Sequence, residues 1–363
     1  MIKKIQIVGI IGAIIASIVI LSSPTNPLPL PEPLINTNDS AIQILATNLN
    51  QPRSIAFGNE QIFVTEKDGK IRIIQNDTLL EKPLATFRVA DVFNGGLLGI
   101  TTHPNFMENN LIYVYYTYYD GEVFWNKVSR LQISNNTVLD VVTILDGIPG
   151  SRFNNGGDLE FGPDDKLYIS TGITSDSSHN AQDVSSLEGK ILRINHDGTI
   201  PDDNPFPNSP VFSLGHRNPQ GITWNSSGVL FIADLGPEKN DEINIINSGK
   251  NYGWPETECD GTELYVKARI CFDPGIEPGG ITFYNDDKLE LDGMLIMASL
   301  RSTNLYKLDM SQDVVVPKSI LSGVGRIRDV AVGPNGYLYV ITSNTDGKGF
   351  PSNSDDMLIR IMK

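Results

Sequence analysis

The chain has 363 residues, and its 43 Asp and Glu against 28 Lys and Arg give a formal net charge of −15 at pH 7. A surface with this balance repels polyanions, which excludes nucleic acid and anionic lipid as general partners. Once the first forty residues are set aside, roughly 320 remain, enough for one large domain with its own core.

The N-terminal segment differs in composition from the rest of the chain. Two lysines precede an apolar run that begins at residue 5. This pattern predicts either a cleaved signal peptide or an uncleaved membrane anchor within residues 1–22, and residues 5–22 would be the membrane tether in the second case. Residues 23–40 are rich in proline, which predicts an extended linker. We therefore expect an extracellular or cell-surface protein.

After residue 40, short runs of β-branched and aromatic residues alternate with Gly, Asn, Asp and Pro, and no long segment has helical periodicity. One pattern recurs: an apolar strand, a polar turn and a second apolar strand. Clear copies lie at residues 55–65, 159–170, 222–233 and 330–342, and looser copies lie at residues 99–117 and 281–308. A third strand with a basic residue follows several of them.

Six such units of about fifty residues each predict the fold class. We interpret residues 41–363 as an all-β, six-bladed β-propeller of four-stranded antiparallel sheets. A two-sheet sandwich is the alternative, but it gives no reason for six repeats of one pattern. Residues 41–49 are predicted to pair with the last blade and close the ring. The loops at one end of a propeller share a concave site, so unusual loop residues are the functional candidates.

Arginines are the sharpest signal in those loops. Four of them lie at strand–loop junctions: Arg217, Arg301, Arg326 and Arg328. Because Arg326 and Arg328 alternate along one strand, both side chains are predicted on the same face. Guanidinium binds carboxylate in a bidentate manner, so convergence of these groups would suit a ligand with several carboxylates. Alternatively, each arginine pairs with a nearby acid, such as Arg328 with Asp329, and only holds the blades together.

Two further features concern metal binding and redox state. The Gly236–Pro237 turn, beside the acidic residues 240–242, could offer oxygens to a hard cation such as calcium, although EF-hand spacing is absent and a plain turn is the alternative. Cys259 and Cys271 are the two cysteines of the chain. In an exported protein they are predicted to form a disulfide, with two free thiols as the alternative.

Several motifs, taken together, resemble one known family. They lie at residues 95–99, 155–157, 161–164, 187–193, 198–206, 215–255, 325–330 and 336–339. From about Pro52 to the C-terminus, the chain resembles the soluble quinoprotein glucose/sorbosone dehydrogenases, the aldose sugar dehydrogenases that use pyrroloquinoline quinone (PQQ). The resemblance implies a six-bladed propeller, PQQ and calcium as cofactors, a small sugar as substrate and an external electron acceptor.

The resemblance also implies roles for individual residues. Four of them would bind the carboxylates and carbonyls of the quinone: Arg217, Asn218, Arg326 and Arg328. Arg301 stands where the family usually has lysine, so it keeps the charge but changes the geometry. The carbonyls of Gly236 and Pro237 match the calcium ligands of the family. The implied reaction is hydride transfer from the anomeric carbon to a quinone carbonyl carbon, while a histidine takes the hydroxyl proton.

The substrate side departs from the family pattern. The base histidine normally stands just before Asn-Gly-Gly, where this chain has Asn154. Neutral asparagine accepts no proton, and loss of a general base typically costs about 100- to 10,000-fold in rate. Asn94 stands at a substrate-side position that is often Gln or Glu. His179 is the first candidate for a replacement base, with a solvated loop histidine as the alternative, and Asp158 is the second.

The replacement of the base leaves two hypotheses for function. The first is PQQ- and calcium-dependent oxidation of aldose sugars at the anomeric carbon. The second is a catalytically impaired or non-enzymatic extracellular propeller that binds a ligand or carbohydrate, because Asn154 replaces the base histidine. The enzyme hypothesis predicts that the arginines converge around a cavity with a titratable group near the substrate position.

Overall fold

A computed structural model describes residues 41–174 and 178–363 of the chain. The predicted signal peptide or anchor (1–22) and the predicted linker (23–40) lie outside the described residues. Within those ranges, no helix is both long enough and apolar enough to cross a membrane.

The described residues form an all-β ring of six antiparallel blades, as predicted. Blade 6 begins with β1 (Ile42–Ala46), and blade 1 holds β2 (Pro52–Phe57), β3 (Gln61–Glu66), β4 (Lys70–Gln75), β5 (Thr78–Leu79) and β6 (Ala85–Thr86). Blade 2 holds β7 (Leu97–Thr102), the short helix α1 (Phe106–Asn109), β8 (Leu111–Tyr119), β9 (Phe124–Ser134) and β10 (Thr137–Pro149). Blade 3 holds β11 (Gly156–Phe161), β12 (Leu167–Thr171), the 3-10 helix η1 (Ser178–Gln182), β13 (Lys190–Ile194) and β14 (Val211–Leu214).

The second half of the chain repeats this arrangement. Blade 4 holds β15 (Pro219–Trp224), β16 (Leu230–Asp234), β17 (Asp241–Ile246) and β18 (Ile270–Phe272). Blade 5 holds β19 (Pro278–Phe283), β20 (Leu295–Ser299), β21 (Asn304–Leu308) and β22 (Lys318–Ser322). Blade 6 is completed by β23 (Ile327–Val332), β24 (Leu338–Thr342) and β25 (Leu358–Ile361). In blade 1, the short strands β5 and β6 both pair with β4 and share the outer position.

The second strand of a blade is the most apolar because it is covered on both faces. All five residues of β12, β16, β20 and β24 are buried. Neighbouring blades pack face to face over these strands, as where Leu305 of blade 5 joins Val330 and Ile359 of blade 6 in one apolar cluster. Burial on both faces explains why these segments read as continuous apolar runs rather than as an alternating pattern.

The N-terminal strand closes the ring, as predicted. β1 pairs antiparallel with β25, with Ile42 opposite Ile361. The N–H of Met362 also donates to the carbonyl of Ala41 at 2.7 Å. The last blade is therefore built from both ends of the propeller sequence, and β2 packs beside β23 to complete the inner circle of strands.

The first strands of the blades line the central channel and are tied across blade boundaries by carboxylates. Asp158 of β11 accepts the N–H of Ile222 in β15 at 2.7 Å. Asp329 of β23 accepts the N–H of Ile55 in β2 at 2.9 Å. Because each first strand begins where each second strand ends, the loops that precede the first strands and follow the second strands meet at one end of the channel.

Cys259 and Cys271 form a disulfide, with their Cα atoms 5.6 Å apart. Cys271 lies in β18, the outer strand of blade 4. The bond therefore ties the long loop between β17 and β18 to the edge of this blade.

Candidate functional site

A buried carboxylate shapes the turn that carries Arg217 and Asn218. Asp234, the last residue of β16, accepts the N–H of Arg217 at 3.0 Å and the N–H of Asn218 at 2.7 Å. The side chain of Asn218 is buried, and its Oδ1 accepts the N–H of Gly156 at 3.0 Å. The turn therefore fixes the amide of Asn218 at the inner circle of strands, beside the start of β11.

Arg217 lies against the Gly236–Pro237 turn. Its Nη1 donates to the carbonyl oxygens of Leu235 at 2.8 Å and Gly236 at 2.7 Å, and its guanidinium lies 5.4 Å from the ring centre of Trp254. Burial lowers the pKa of Arg217, although three nearby carboxylates oppose this effect. The guanidinium of Arg217 therefore contacts the carbonyl oxygen of Gly236, the same atom that would bind calcium according to the resemblance.

Asp241 holds the Gly236–Pro237 turn in place. One of its carboxylate oxygens accepts the N–H of Gly236 at 2.8 Å, and the other accepts the N–H groups of Ile276 at 2.7 Å and Glu277 at 2.8 Å. Its oxygens are thus engaged by the backbone. Within residues 41–174 and 178–363, no group of three His, Cys, Asp or Glu side chains is placed to hold a metal ion.

A cleft opens at this end of the central channel and has a cavity volume of about 60 Å³. Its lining includes the following charged and polar residues: Arg53, Asn94, Asn218, Gln220, Glu277, Arg326, Arg328, Asp346 and Lys348. Strands of blades 1, 3, 4, 5 and 6 and the loop that leads into blade 2 contribute to it. We refer to this space, defined by these residues, as the cleft.

Arg326 is held by three acceptors. It donates from Nε to Asp346 at 2.9 Å, from Nη1 to the carbonyl of Leu300 at 3.2 Å and from Nη2 to Glu277 at 3.1 Å. The guanidinium is therefore fixed in the wall of the cleft, and its charge is shared with two carboxylates.

Glu277 is the centre of a cluster of cations. Besides Arg326, it contacts Arg301 at 2.9 Å and Lys348 at 3.4 Å. Burial alone raises the pKa of Glu277, but Lys348, Arg301 and Arg326 outweigh burial and hold the pKa below its usual value. Glu277 is therefore ionised. Arg301 does not line the cleft itself, but it contacts Glu277, which does.

Arg328 is much less well paired than Arg326. Its one hydrogen bond within the described residues is a long one, from Nη1 to Gln220 at 3.4 Å. Its Nε is buried and finds no acceptor in the part of the chain that the structure describes. Burial lowers the pKa of Arg328 to about 10. Because buried donors are nearly always hydrogen-bonded, this atom indicates a place for an anionic ligand group.

Asn154, which stands at the position of the base, and the two candidates for a replacement base lie in different places. Asn154 has a left-handed backbone with φ of +54° and immediately precedes Asn155, which lines the cleft. His179 lies in η1, is 83% exposed and has its Nδ1 3.3 Å from a carboxylate oxygen of Glu256. Asp158 lines the narrower part of the channel beneath the cleft. Burial, Asp329 and Glu160 raise the pKa of Asp158.

Asn94 lies in the cleft wall, where its N–H donates to the carbonyl of Arg152 at 2.9 Å. It therefore shares the cleft with Asn218, Arg326 and Arg328. Arg301 and Arg217 flank the cleft, the first through Glu277 and the second through the Gly236 turn. The suggested pair of Arg328 with Asp329 is not formed, because the oxygens of Asp329 accept backbone N–H groups instead.

The sequence predicted Asn218 as a residue of the site, but Gln51, Glu277, Arg53 and Lys348 were missed, although two of these four carry the same signal as Asn218. Gln51, Asn218 and Glu277 each precede the proline that begins β2, β15 or β19, and all three line the cleft. Proline suits the first residue of a strand and forces the preceding residue out of helical conformation. A polar residue before such a proline is therefore a sequence signal for the cleft, whereas no such signal accompanies Lys348 or Arg53.

Comparison with known proteins places this architecture in a family. The sequence profile of the family described as "Glucose / Sorbosone dehydrogenase" matches residues 49–360. Aldose sugar dehydrogenase YliI of Escherichia coli is 32% identical over 342 residues, which cover 85% of this chain and 91% of that protein. The PQQ-bound form of aldose sugar dehydrogenase from Streptomyces coelicolor superposes with a TM-score of 0.80 at 32% identity, over 89% of this chain and 98% of that one.

A third relative covers less of the chain. Quinoprotein glucose dehydrogenase B of Acinetobacter calcoaceticus is 33% identical over 249 residues, which are 59% of this chain and 52% of that protein. The profile match covers most of the chain, and the Escherichia coli relative aligns with 85% of it, which is enough to assign the family. This chain belongs to the glucose/sorbosone dehydrogenase family.

Proposed function

We propose that this protein oxidises aldose sugars at the anomeric carbon, with PQQ bound in the cleft and calcium at the Gly236–Pro237 turn. The observation that carries the proposal is the buried Nε of Arg328, which has no acceptor within the described residues of an arginine-lined cleft. An oligocarboxylate such as PQQ supplies the acceptors that these donors lack. The names of the relatives, an aldose sugar dehydrogenase and a quinoprotein glucose dehydrogenase, support the same activity.

PQQ, when bound, supplies a quinone that accepts the hydride of the sugar. The chain's own residues would bind and orient it. Asp346 and Glu277 already fix the guanidinium of Arg326, so its side chain need not be ordered when the cofactor binds. Arg328 and the amide of Asn218 offer donors at the same end of the channel. Donors that are fixed before the reaction stabilise developing negative charge more effectively than mobile ones.

Calcium is proposed on the carbonyls of Gly236 and Pro237. Calcium takes about six to eight oxygen ligands, so two carbonyls would hold it only together with oxygens of the cofactor and water. Arg217 now donates to the Gly236 carbonyl at 2.7 Å. Calcium binding would therefore require this guanidinium to leave the carbonyl, which would free it for the quinone.

The weak point of the proposed reaction is acceptance of the hydroxyl proton. The side chain of Asn154 cannot take a proton at useful pH. His179 is largely exposed and paired with Glu256, and Asp158 lies beneath the cleft. Among the described residues, the carboxylates that line the cleft are Glu277 and Asp346, and both are ion-paired. We therefore expect slow turnover, with the proton released to water.

The cellular setting is proposed from the N-terminal sequence. Two lysines before an apolar run favour export or a membrane tether through residues 5–22. An enzyme placed there would pass its electrons to an external acceptor.

The proposal is tested by reconstituting the protein with PQQ and calcium. Binding is measured by quenching of tryptophan fluorescence, and turnover is measured by dye reduction with a panel of aldoses. We expect PQQ binding that weakens when EGTA removes calcium, and slow dye reduction that depends on the sugar. Binding without turnover on any sugar would exclude the dehydrogenase activity and favour a ligand-binding propeller, and absence of binding would exclude the cofactor as well.

A further inference from the structure

Arg53, the second residue of β2, is a cation in the cleft to which no role has been assigned. It lines the cleft and also the narrow part of the channel directly beneath it, and Arg328 lines the same two spaces. The side chain of Arg53 forms no hydrogen bond or ion pair with any residue in the ranges 41–174 and 178–363. Two guanidiniums therefore lie at the floor of the cleft, and neither side chain forms an ion pair with a carboxylate of the described residues.

The charges that line the cleft do not balance. The four cations are Arg53, Arg326, Arg328 and Lys348, and the two carboxylates are Glu277 and Asp346. Glu277 is engaged by Arg301, Arg326 and Lys348, and Asp346 is engaged by Arg326. The carboxylates of the cleft are thus engaged by other cations. In the narrow space beneath, Asp158 and Asp329 lie beside Arg53 and Arg328, but their oxygens accept backbone N–H groups and form no ion pair with either arginine.

This excess of positive charge should cost stability in the protein without a ligand. Burial, followed by the charge of Arg328, lowers the pKa of Arg53. A guanidinium nevertheless stays protonated in proteins, so the two charges repel each other within an enclosed space. Asp346 opposes this effect on both arginines, but it is ion-paired with Arg326. Two guanidiniums held close together with no ion pair of their own favour an anion-binding site.

We propose that Arg53 is a carboxylate-binding residue of the cleft that acts with Arg328 on one carboxylate of the bound cofactor. This inference rests on the proposed function, because it takes PQQ as the anion. Guanidinium presents parallel N–H donors that match a carboxylate, and two such groups on neighbouring first strands can bind the two oxygens together. Arg53 would thereby set which end of the cofactor enters the channel.

The experiment compares the parent protein with Arg53→Met, which keeps a long side chain but removes the charge. Arg88→Met is the matched control, because Arg88 is exposed and outside the cleft. We expect Arg53→Met to weaken PQQ binding by about 10- to 100-fold, the range of one hydrogen-bonded ion pair. The melting temperature of the cofactor-free variant should equal or exceed that of the parent, since the repulsion with Arg328 is gone. Arg88→Met should change neither quantity.

A second ligand identifies the carboxylate as the partner. The trimethyl ester of PQQ keeps the quinone but carries no negative charge, so Arg53→Met should bind the ester as well as the parent does. Arg53→Gln is a second neutral variant with a polar side chain, and it should reproduce the behaviour of Arg53→Met. These readouts do not depend on turnover of the loaded protein.

Three results would overturn the inference. Affinity of both neutral variants for PQQ within about twofold of the parent would remove Arg53 from the site. A lower melting temperature in both variants, with equal losses for PQQ and its ester, would assign Arg53 a packing role. If the parent itself bound no PQQ, the proposed function would fail and this inference with it, a pattern distinct from the other two.

Discussion

At the scale of the residue, Asn154 decides how fast the proposed reaction can run. Its φ of +54° lies in the left-handed region, which asparagine and histidine adopt more readily than most other residues. Its carbonyl oxygen packs against Gly172, where an added Cβ would stand only 1.8 Å away. The backbone is thus built around a left-handed residue, and histidine can occupy the position without a change of conformation.

We predict that Asn154→His raises kcat/KM for aldoses by about 100-fold or more, because it supplies a general base. The rate should then rise with pH through an apparent pKa near 6.5, the ordinary value of histidine. Dye-reduction assays between pH 5 and pH 9 measure both effects, with Asn154→Gln as the control that adds no base. A variant that binds PQQ normally but gains no rate would show that the base belongs elsewhere.

At the scale of the element, the first strands carry carboxylates into the channel below the cleft. Asp158 and Glu160 of β11 and Asp329 of β23 line a space of about 420 Å³. Desolvation inside the channel raises the pKa of Glu160 to about 7 and that of Asp329 to about 6, although the side chain of Glu160 is exposed to the space of the channel. A carboxyl whose pKa is raised in the folded state contributes stability below its unfolded pKa, about 4.3 for Glu and about 3.9 for Asp, and this stability is lost as pH rises through the folded pKa.

We predict that Glu160→Gln makes stability less dependent on pH between about 4 and 8, because the amide stays neutral. Because the side chain of Glu160 is exposed to the space of the channel, solvent screens the effect; the melting temperature of the variant should exceed that of the parent by only about 1 to 2 °C at pH 8, and the two should agree near pH 4. Thermal melts by circular dichroism at several pH values measure this. Glu60→Gln is the control, since Glu60 is exposed on a turn. Parallel curves for parent and variant would contradict the prediction.

At the scale of the whole molecule, the ring is closed by a strand far from its partners in the sequence. Leu45 of β1 is 6% exposed and packs in a cluster with Ile341 and Leu358 of blade 6. The same cluster contains Ile55 and Val64 of blade 1. Leu45 therefore stabilises the junction between the first and last blades, where the circle of blades is joined.

We predict that Leu45→Ala lowers the free energy of unfolding by about 2 to 5 kcal/mol, as for other buried leucines. Denaturant titration of the folded protein measures the loss. Leu139→Ala is the matched control, since Leu139 lies on an outer strand and is 64% exposed. Equal effects of the two substitutions would mean that β1 contributes little to closure of the ring.

Much of the fold could be predicted because its signals are local. A strand, a turn and a second strand lie within about a dozen residues, and burial of β12, β16, β20 and β24 on both faces leaves apolar runs that are easy to read. The repeat of this pattern specified the propeller, and the pairing of β1 with β25 followed from the need to satisfy an exposed edge. The motifs around Asn218 and Arg326 likewise identified the family.

The charge pattern of the cleft was decided only by the tertiary structure. Glu277 meets Arg326, which is 49 positions away in the sequence, and Asp329 binds the N–H of Ile55 across 274 positions. No local pattern distinguishes Arg326, which is paired with two carboxylates, from Arg328, which forms no ion pair within residues 41–174 and 178–363, although both line the same cleft. Strand formation depends on neighbouring residues and can be read from them, whereas the state of a buried charge depends on which distant groups the closed ring brings within a few ångströms.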